Sequence, residues 1–172
     1  AVAESMQPAA VGMIDERYGP KWHNASNELM IRETGLLRYF EMRGIPFFPI
    51  NDGHTREETA EQYDEKLREL FSRYQKIVGI LGIGSDGHTA GIPAESIKLN
   101  VKNSKLFSKS DLVADYEDDV GTYGERVTMT FLGLSHLDLL MVLVFGDDKK
   151  KALDAVFSPG TEEEVPGRFY TR

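Results

Sequence analysis

Asp86-Gly-His88 lies within the stretch Gly82-Ile-Gly-Ser-Asp-Gly-His-Thr-Ala90. An imidazole takes up and releases a proton near neutral pH, and a carboxylate two residues away can fix its tautomer. Gly82, Gly84 and Gly87 let the backbone turn sharply and approach a ligand closely. The apolar run Ile77 to Leu81 precedes them and reads as a strand buried on both faces of a parallel sheet. In open α/β sheets, ligands bind just beyond the carboxyl ends of strands. His88 is therefore the candidate for proton transfer. The alternative is a loop histidine bonded only for shape, and the glycine-rich strand end favours function. The same glycines fit the G-x-G-x-x-G dinucleotide pattern, but Gly91 and Pro93 oppose the helix that this pattern requires.

Asp15-Glu16-Arg17 ends another apolar run, Ala9 to Ile14. Arg17 there could hold an oxyanion or a phosphate, or it could be part of a solvated strand end; the residues leave both readings open. The same holds for Arg126 at the start of an alternating segment and for the lysine run 149–151 at the start of a helix. Cations at a helix N-terminus oppose its dipole, and a bound anion would offset that cost. Asp-Gly-His-Thr occurs twice, at 52–55 and at 86–89. The first copy runs into Thr55-Arg-Glu-Glu58, a capping box. Its role as turn and N-cap is sufficient, so His88 rather than His54 is the functional histidine. His23 and His136 read as structural or exposed. No metal is expected, because the histidines lack ligand spacing and cysteine is absent.

The elements that must position these groups follow from periodicity and turn chemistry. Asn24 or Ser26 caps a helix through Leu29, Met30, Leu36, Leu37 and Phe40, ending at Gly44 before Pro46. Phe47 to Ile50 is a short strand. Ala60, Tyr63, Leu67, Leu70, Phe71 and Tyr74 share one face of a long amphipathic helix. Lys98 to Asp119 is a loop-rich excursion with a possible strand at Leu112–Ala114. Arg126 to Phe131 is a strand, Leu139 to Phe145 a second central strand, and Asp147 to Phe157 a helix with Ala152, Leu153 and Val156 inward. Glu162 to Gly167 is a polar tail. The alternation indicates an α/β fold with a mainly parallel sheet. Ala9–Ile14 and Ile77–Leu81 are expected as parallel strands of one sheet. Arg17, His88 and Lys149 would then open onto one edge and one cleft.

The 172 residues bound this to one domain with a sizeable core. A net charge of -8 opposes nucleic-acid binding, so an anionic ligand needs a local cationic cluster. No apolar run is long enough for a membrane span or a signal peptide. With cysteine absent, this pattern fits a cytoplasmic protein. Oligomeric state is not legible.

Three separated motifs together resemble the 6-phosphogluconolactonase family, within the group that includes the glucosamine-6-phosphate deaminases. Asp15-Glu-Arg17 with Ser26-Asn27 is similar to the family's D-E-R and S-N segments. Gly82-Ile-Gly-Ser-Asp-Gly-His-Thr-Ala90 is similar to its G-x-G-x-D-G-H-T-A signature. Arg126-Val-Thr, then Gly146-Asp-Asp-Lys149 with Ala152-Leu153, is similar to its R-[IV]-T and G-x-x-K-x-x-A-L segments. The resemblance implies a Rossmann-like three-layer fold and hydrolysis of 6-phosphoglucono-δ-lactone, a pentose phosphate pathway reaction, without a cofactor. It implies His88 as general base, Arg17 as stabiliser of developing charge, Asp15 and Asp86 as orienting groups, and Arg126 and Lys149 on the phosphate. Gly84 and Gly87 would line the substrate. The family's S-G-G-S-T-P loop has no counterpart, so residues 1–172 are expected to be a partial domain lacking its N-terminal part, with the activity of this chain itself open. Two other functions compete. A sugar-phosphate deaminase would carry D-E-Y and a glutamate five residues after the histidine, where this chain has Pro93 with Glu95 nearby. A non-catalytic sugar-phosphate-binding module is the other.

Overall fold

The computed structural model describes residues 7–94, 104–117 and 124–171. Its strands are β1 (Val11–Gly12), β2 (Asp15–Arg17), β3 (Phe47–Phe48), β4 (Val78–Gly82), β5 (Val113–Glu117), β6 (Glu125–Met129) and β7 (Leu139–Leu143). Its α-helices are α1 (Asn27–Glu33), α2 (Leu36–Met42), α3 (Arg56–Arg73), α4 (Phe131–Ser135) and α5 (Lys150–Phe157). Three 3-10 turns cover Ser104–Phe107, Asp147–Lys149 and Pro166–Thr171. Glu95, the carboxylate nearest the deaminase position, lies outside the described residues.

α3 forms where its sequence signals it. Thr55 accepts from the Glu58 amide while the Glu58 carboxylate accepts from the Thr55 amide, a complete capping box. Thr59, Ala60, Tyr63, Leu67 and Leu70 are its buried face. The expected helix from Ser26 to Gly44 is instead two helices. Gly35 adopts a left-handed conformation, φ 80°, which ends α1 and redirects the chain into α2. Ser26 caps α1 by accepting from the Leu29 amide.

The strands form two parallel pairs and one antiparallel triplet. β1 pairs with β3, β4 pairs with β7, and β2–β6–β5 is antiparallel throughout. Ala9–Ile14 and Ile77–Leu81 are thus not in one hydrogen-bonded sheet, contrary to the sequence expectation. Only Val11–Gly12 of the first run is laddered. The next amide, Met13, donates to the Tyr63 hydroxyl, which in turn donates to the Met13 carbonyl. A side chain from α3 thereby takes the main-chain groups that a neighbouring strand would use. The Arg126–Phe131 strand ends at Met129, because Thr130 caps α4 by accepting from Gly133. The expected polar tail is in fact docked: Pro166, Gly167 and Phe169 are buried.

The main core gathers Met13, Tyr63, Leu67, Leu81, Ile92, Leu106, Val113, Val127 and Leu134. A second cluster joins Ile83 to Ala152 and Val156 of α5. β4 is not buried on both faces as expected. Val78 and Ile80 are 54% and 49% exposed, and Leu139, Met141 and Leu143 of β7 share that exposure. No element among the described residues covers this aliphatic face.

This asymmetry is testable by urea unfolding. Ile80→Thr should change stability by no more than about 0.5 kcal/mol, as at an open surface. Leu81→Ala, one residue on and 7% exposed, should cost about 2–5 kcal/mol. Equal losses would show that the Ile80 face is covered in solution.

Candidate active site

β2 presents alternate side chains to opposite faces. Glu16 points into the protein and is 1% exposed. Its carboxylate accepts from the amides of Arg17 (2.7 Å), Asn27 (2.6 Å) and Glu28 (2.8 Å) and from the Ser26 hydroxyl (3.0 Å). The Asn27 and Glu28 amides and the Ser26 hydroxyl sit at the start of α1, where backbone N–H groups lack helical partners. Glu16 therefore fastens the end of β2 to the N-terminus of α1.

Asn27, the first residue of α1, comes to lie beside the other face of β2. Its amide nitrogen donates to the Asp15 carbonyl (3.1 Å) and carboxylate (3.0 Å). Its amide oxygen accepts from Arg17 Nη1 at 3.1 Å, which also donates to the Ala25 carbonyl at 2.8 Å. Arg17 thus spends its charge on neutral acceptors. Across the ladder, Arg17 is paired with Arg126 and Asp15 with Thr128. Side chains directly opposite in an antiparallel pair lie on the same face, and like charges there repel. Arg126 makes no ion pair among the described residues. Burial pushes the Asp15 carboxyl above its ordinary range and Glu16 adds to this, while Asn27, Arg17 and Arg126 pull the other way.

The glycine loop is brought to this same face. Gly91 N–H donates to Thr128 Oγ1 at 3.0 Å, and the Gly91 carbonyl accepts from the Tyr116 hydroxyl at 2.5 Å. A Cβ on Gly91 would stand 2.8 Å from Thr128 Cβ and 3.4 Å from Asp15 Cβ. The loop ending in Gly91 therefore packs on the surface that carries Asp15, Arg17 and Arg126.

Within the loop, Asp86 Oδ1 contacts His88 Nδ1 at 2.5 Å and accepts the His88 amide at 3.2 Å. Burial pushes the Asp86 carboxyl up, but the His88 amide and imidazole outweigh it, and the group titrates below its ordinary value. With Nδ1 facing Asp86, Nε2 is the nitrogen left for a substrate. The imidazole lies against Gly84: a Cβ there would be 2.1 Å from both Cε1 and Nδ1. Gly84 is steric clearance for the ring. Gly87 has a conformational role, with φ 92° and its amide donating to Gly84.

The first Asp-Gly-His-Thr folds the same way. Asp52 Oδ1 lies 2.9 Å from His54 Nδ1 and accepts the His54 amide, and Gly53 has φ 98°. The paired Asp and His are thus a property of the tetrapeptide. What distinguishes the second copy is the ground it stands on, since His54 leads into the cap of α3 and no Gly84 equivalent lies beneath it.

Lys149 lies on the turn after β7, paired with Asp148 at 3.5 Å. β4 and β7 are parallel, so Lys149 and the glycine loop follow carboxyl ends at one edge. His23 and His136 have structural partners: His23 bonds the Arg17 carbonyl and the Ala25 amide, and His136 stacks on Phe71. A depression of 630 Å³ lined by Phe107, Val156, Glu162 and Arg168 contains none of the candidate residues. No group of three or more His, Cys, Asp or Glu residues that could hold a metal occurs among the described residues. No helix among them is long and apolar enough to cross a membrane.

Residues 5–172 match the family described as glucosamine-6-phosphate isomerases/6-phosphogluconolactonase. The chain belongs to this family. It is 28% identical to 6-phosphogluconolactonases of Xylella fastidiosa, over 86% of this chain and 60% of that protein, and of Neisseria meningitidis, over 91% and 65%. The chain thus spans less than two thirds of these curated relatives. The solved 6-phosphogluconolactonase of Thermotoga maritima superposes with a TM-score of 0.73 at 26% identity, over 98% of this chain and 72% of that one. That of Shewanella baltica gives 0.75 at 20% identity, over 94% and 66%. The fold is the α/β fold of these proteins.

Two outcomes test the site. Gly84→Ala should displace the imidazole rather than the backbone. It should cost about 1 kcal/mol of stability or less, while moving the His88 ring resonances in NMR spectra. Unmoved resonances would contradict the packing.

The second concerns Asp15. Its folded pKa lies above 3.8, so the folded state binds the proton more tightly than the unfolded chain. Stability is then lost as pH rises from 3.8 through the folded value. Asp15→Asn removes that loss. Relative to the parent, its stability should be greater at pH 7 than below pH 3.8, read by denaturant midpoints at each pH. A constant difference would refute the raised pKa.

Proposed function

We propose that the site hydrolyses a sugar-phosphate lactone, 6-phosphoglucono-δ-lactone. The observation that carries the reading is the packing of the His88 loop, through Gly91, onto the face bearing Asp15, Arg17 and Arg126. That packing supports a base and a pair of cations serving one substrate, as attack on the carbonyl of an anionic substrate requires.

The proposed reaction uses these groups as follows. His88 donates Nδ1–H to Asp86, which leaves Nε2 unprotonated and open. Nε2 takes a proton from water as the oxygen bonds to the lactone carbonyl carbon. The carbonyl π pair moves to oxygen, and Arg17 stabilises that oxyanion. The tetrahedral intermediate collapses, the bond from carbon to the ring oxygen breaks, and the ring oxygen takes the proton from Nε2. The product is the open-chain acid, and the imidazole is restored. Arg126 and Lys149 hold the phosphate, whose charge offsets the repulsion between neighbouring cations. Asp15 fixes Asn27, and through it Arg17. The names of the relatives support this substrate class. The deaminase reading lacks a carboxylate at Pro93, five residues after His88.

The test is lactone hydrolysis above the uncatalysed rate. His88→Asn should lower kcat about a hundredfold or more, the usual size of a general-base contribution. His54→Ala, which alters the matching pair at the α3 cap, should leave kcat within a few-fold. Equal losses at both histidines would overturn the assignment of the base, and ammonia release from glucosamine 6-phosphate at a comparable rate would overturn the reaction class.

A further inference from the structure

The C-terminal turn Pro166–Thr171 is attached to both sides of His88. On one side, Gly167 N–H donates to the Gly87 carbonyl at 3.0 Å, and Val165 Cγ1 lies 2.7 Å from where a Gly87 Cβ would be. On the other, the Tyr170 hydroxyl and Thr89 Oγ1 are 2.5 Å apart. Thr89 is fully buried. Its hydroxyl donates to the Gly82 carbonyl at 2.9 Å. A threonine hydroxyl has a single proton, so in the Tyr170 contact Thr89 accepts and Tyr170 donates. Burial pushes the Tyr170 hydroxyl up to about 12.

This short chain of bonds runs Tyr170 to Thr89 to Gly82, across the base of the glycine loop. Thr89 bridges both Ile83 and Ile92, and the His88 carbonyl accepts from Gly84 N–H at 2.8 Å. Fixing Thr89 thus fixes the backbone of His88 relative to Gly84, the residue its ring rests on. The Tyr170 ring is itself seated, edge-on to Phe169 and packed against the Ile83–Ala152–Val156 cluster.

We propose that Tyr170 is a positioning residue, whose hydroxyl acts through Thr89 to hold His88 over Gly84. The inference rests on the reading of His88 as the base, and it predicts more than packing. Tyr170→Phe keeps the ring and its apolar neighbours and removes only the donor. In the full chain it should lower kcat for lactone hydrolysis about three- to tenfold, the worth of one hydrogen bond, with KM within about twofold. The Gly84 amide should exchange with solvent faster, while thermal unfolding shifts little. Thr89→Val removes the same link, so the double variant should lose no more than the worse single variant. Unchanged kcat and unchanged Gly84 exchange in Tyr170→Phe would overturn the proposal, as would losses that multiply in the double variant. The exchange measurement does not need turnover. Faster Gly84 exchange with no lactone hydrolysis by the parent chain would sustain the positioning and reject the hydrolase reading instead.

Discussion

The buried carboxylate of Glu16 gathers three backbone amides and one hydroxyl, and the rest of the site depends on that bond set. A buried charge is tolerated only when its lone pairs are met, and an N-terminal helix turn has amides to give. The pairing fixes where α1 begins relative to β2. It therefore fixes Asn27, which in turn holds Asp15 and Arg17 by opposite ends of one amide. Glu16 touches no candidate substrate position, yet Asp15 and Arg17 are both placed by it through Asn27.

The second constraint is on the glycine loop. Its two ends are held from different directions: Gly91 by Thr128 and Tyr116 of the antiparallel triplet, Gly87 and Thr89 by the C-terminal turn. Loops with few bonds open locally at low cost. This one is bonded on both sides of its histidine, and Ala90 is held at φ 52°, a conformation that only surrounding structure sustains. The loop is thus held from both sides at His88.

The α3 helix and its cap were readable because the signals are local: a capping box and a regular apolar face. Ser26 as a cap and the strand character of Ile77–Leu81 were readable for the same reason. His88, Asp86, Arg17 and Arg126 could be singled out by spacing and by resemblance, and a shared edge was expected for Arg17 and His88, but the contact that brings the glycine loop onto the β2–β6 face was not. It arises from Gly91 meeting Thr128 and Tyr116, residues 37 and 25 positions away. Asn27 was visible only as part of a motif, since an amide carries no charge to mark it. Tyr170 lies just beyond the stretch Glu162 to Gly167 that read as a polar tail, and nothing local marks it, because its hydroxyl partner is 81 positions away. The break at Gly35 was a local signal passed over, a glycine in the middle of an otherwise helical pattern. The first run leaves its ladder at Met13, whose amide and carbonyl bond the Tyr63 hydroxyl 50 positions away, a contact no periodicity carries.

The open aliphatic face of β4 and β7 bears on how this chain behaves in solution. Val78, Ile80, Leu139, Met141 and Leu143 form an exposed aliphatic surface on the β4–β7 pair. Such a surface attracts another like it, and the attraction is short-ranged. The net charge of -8 acts over a longer range and keeps copies apart. Salt shortens that reach to about 10 Å at 0.1 M and about 3 Å at 1 M. Concentrated salt should therefore favour contact between copies through this face while the chain is still folded.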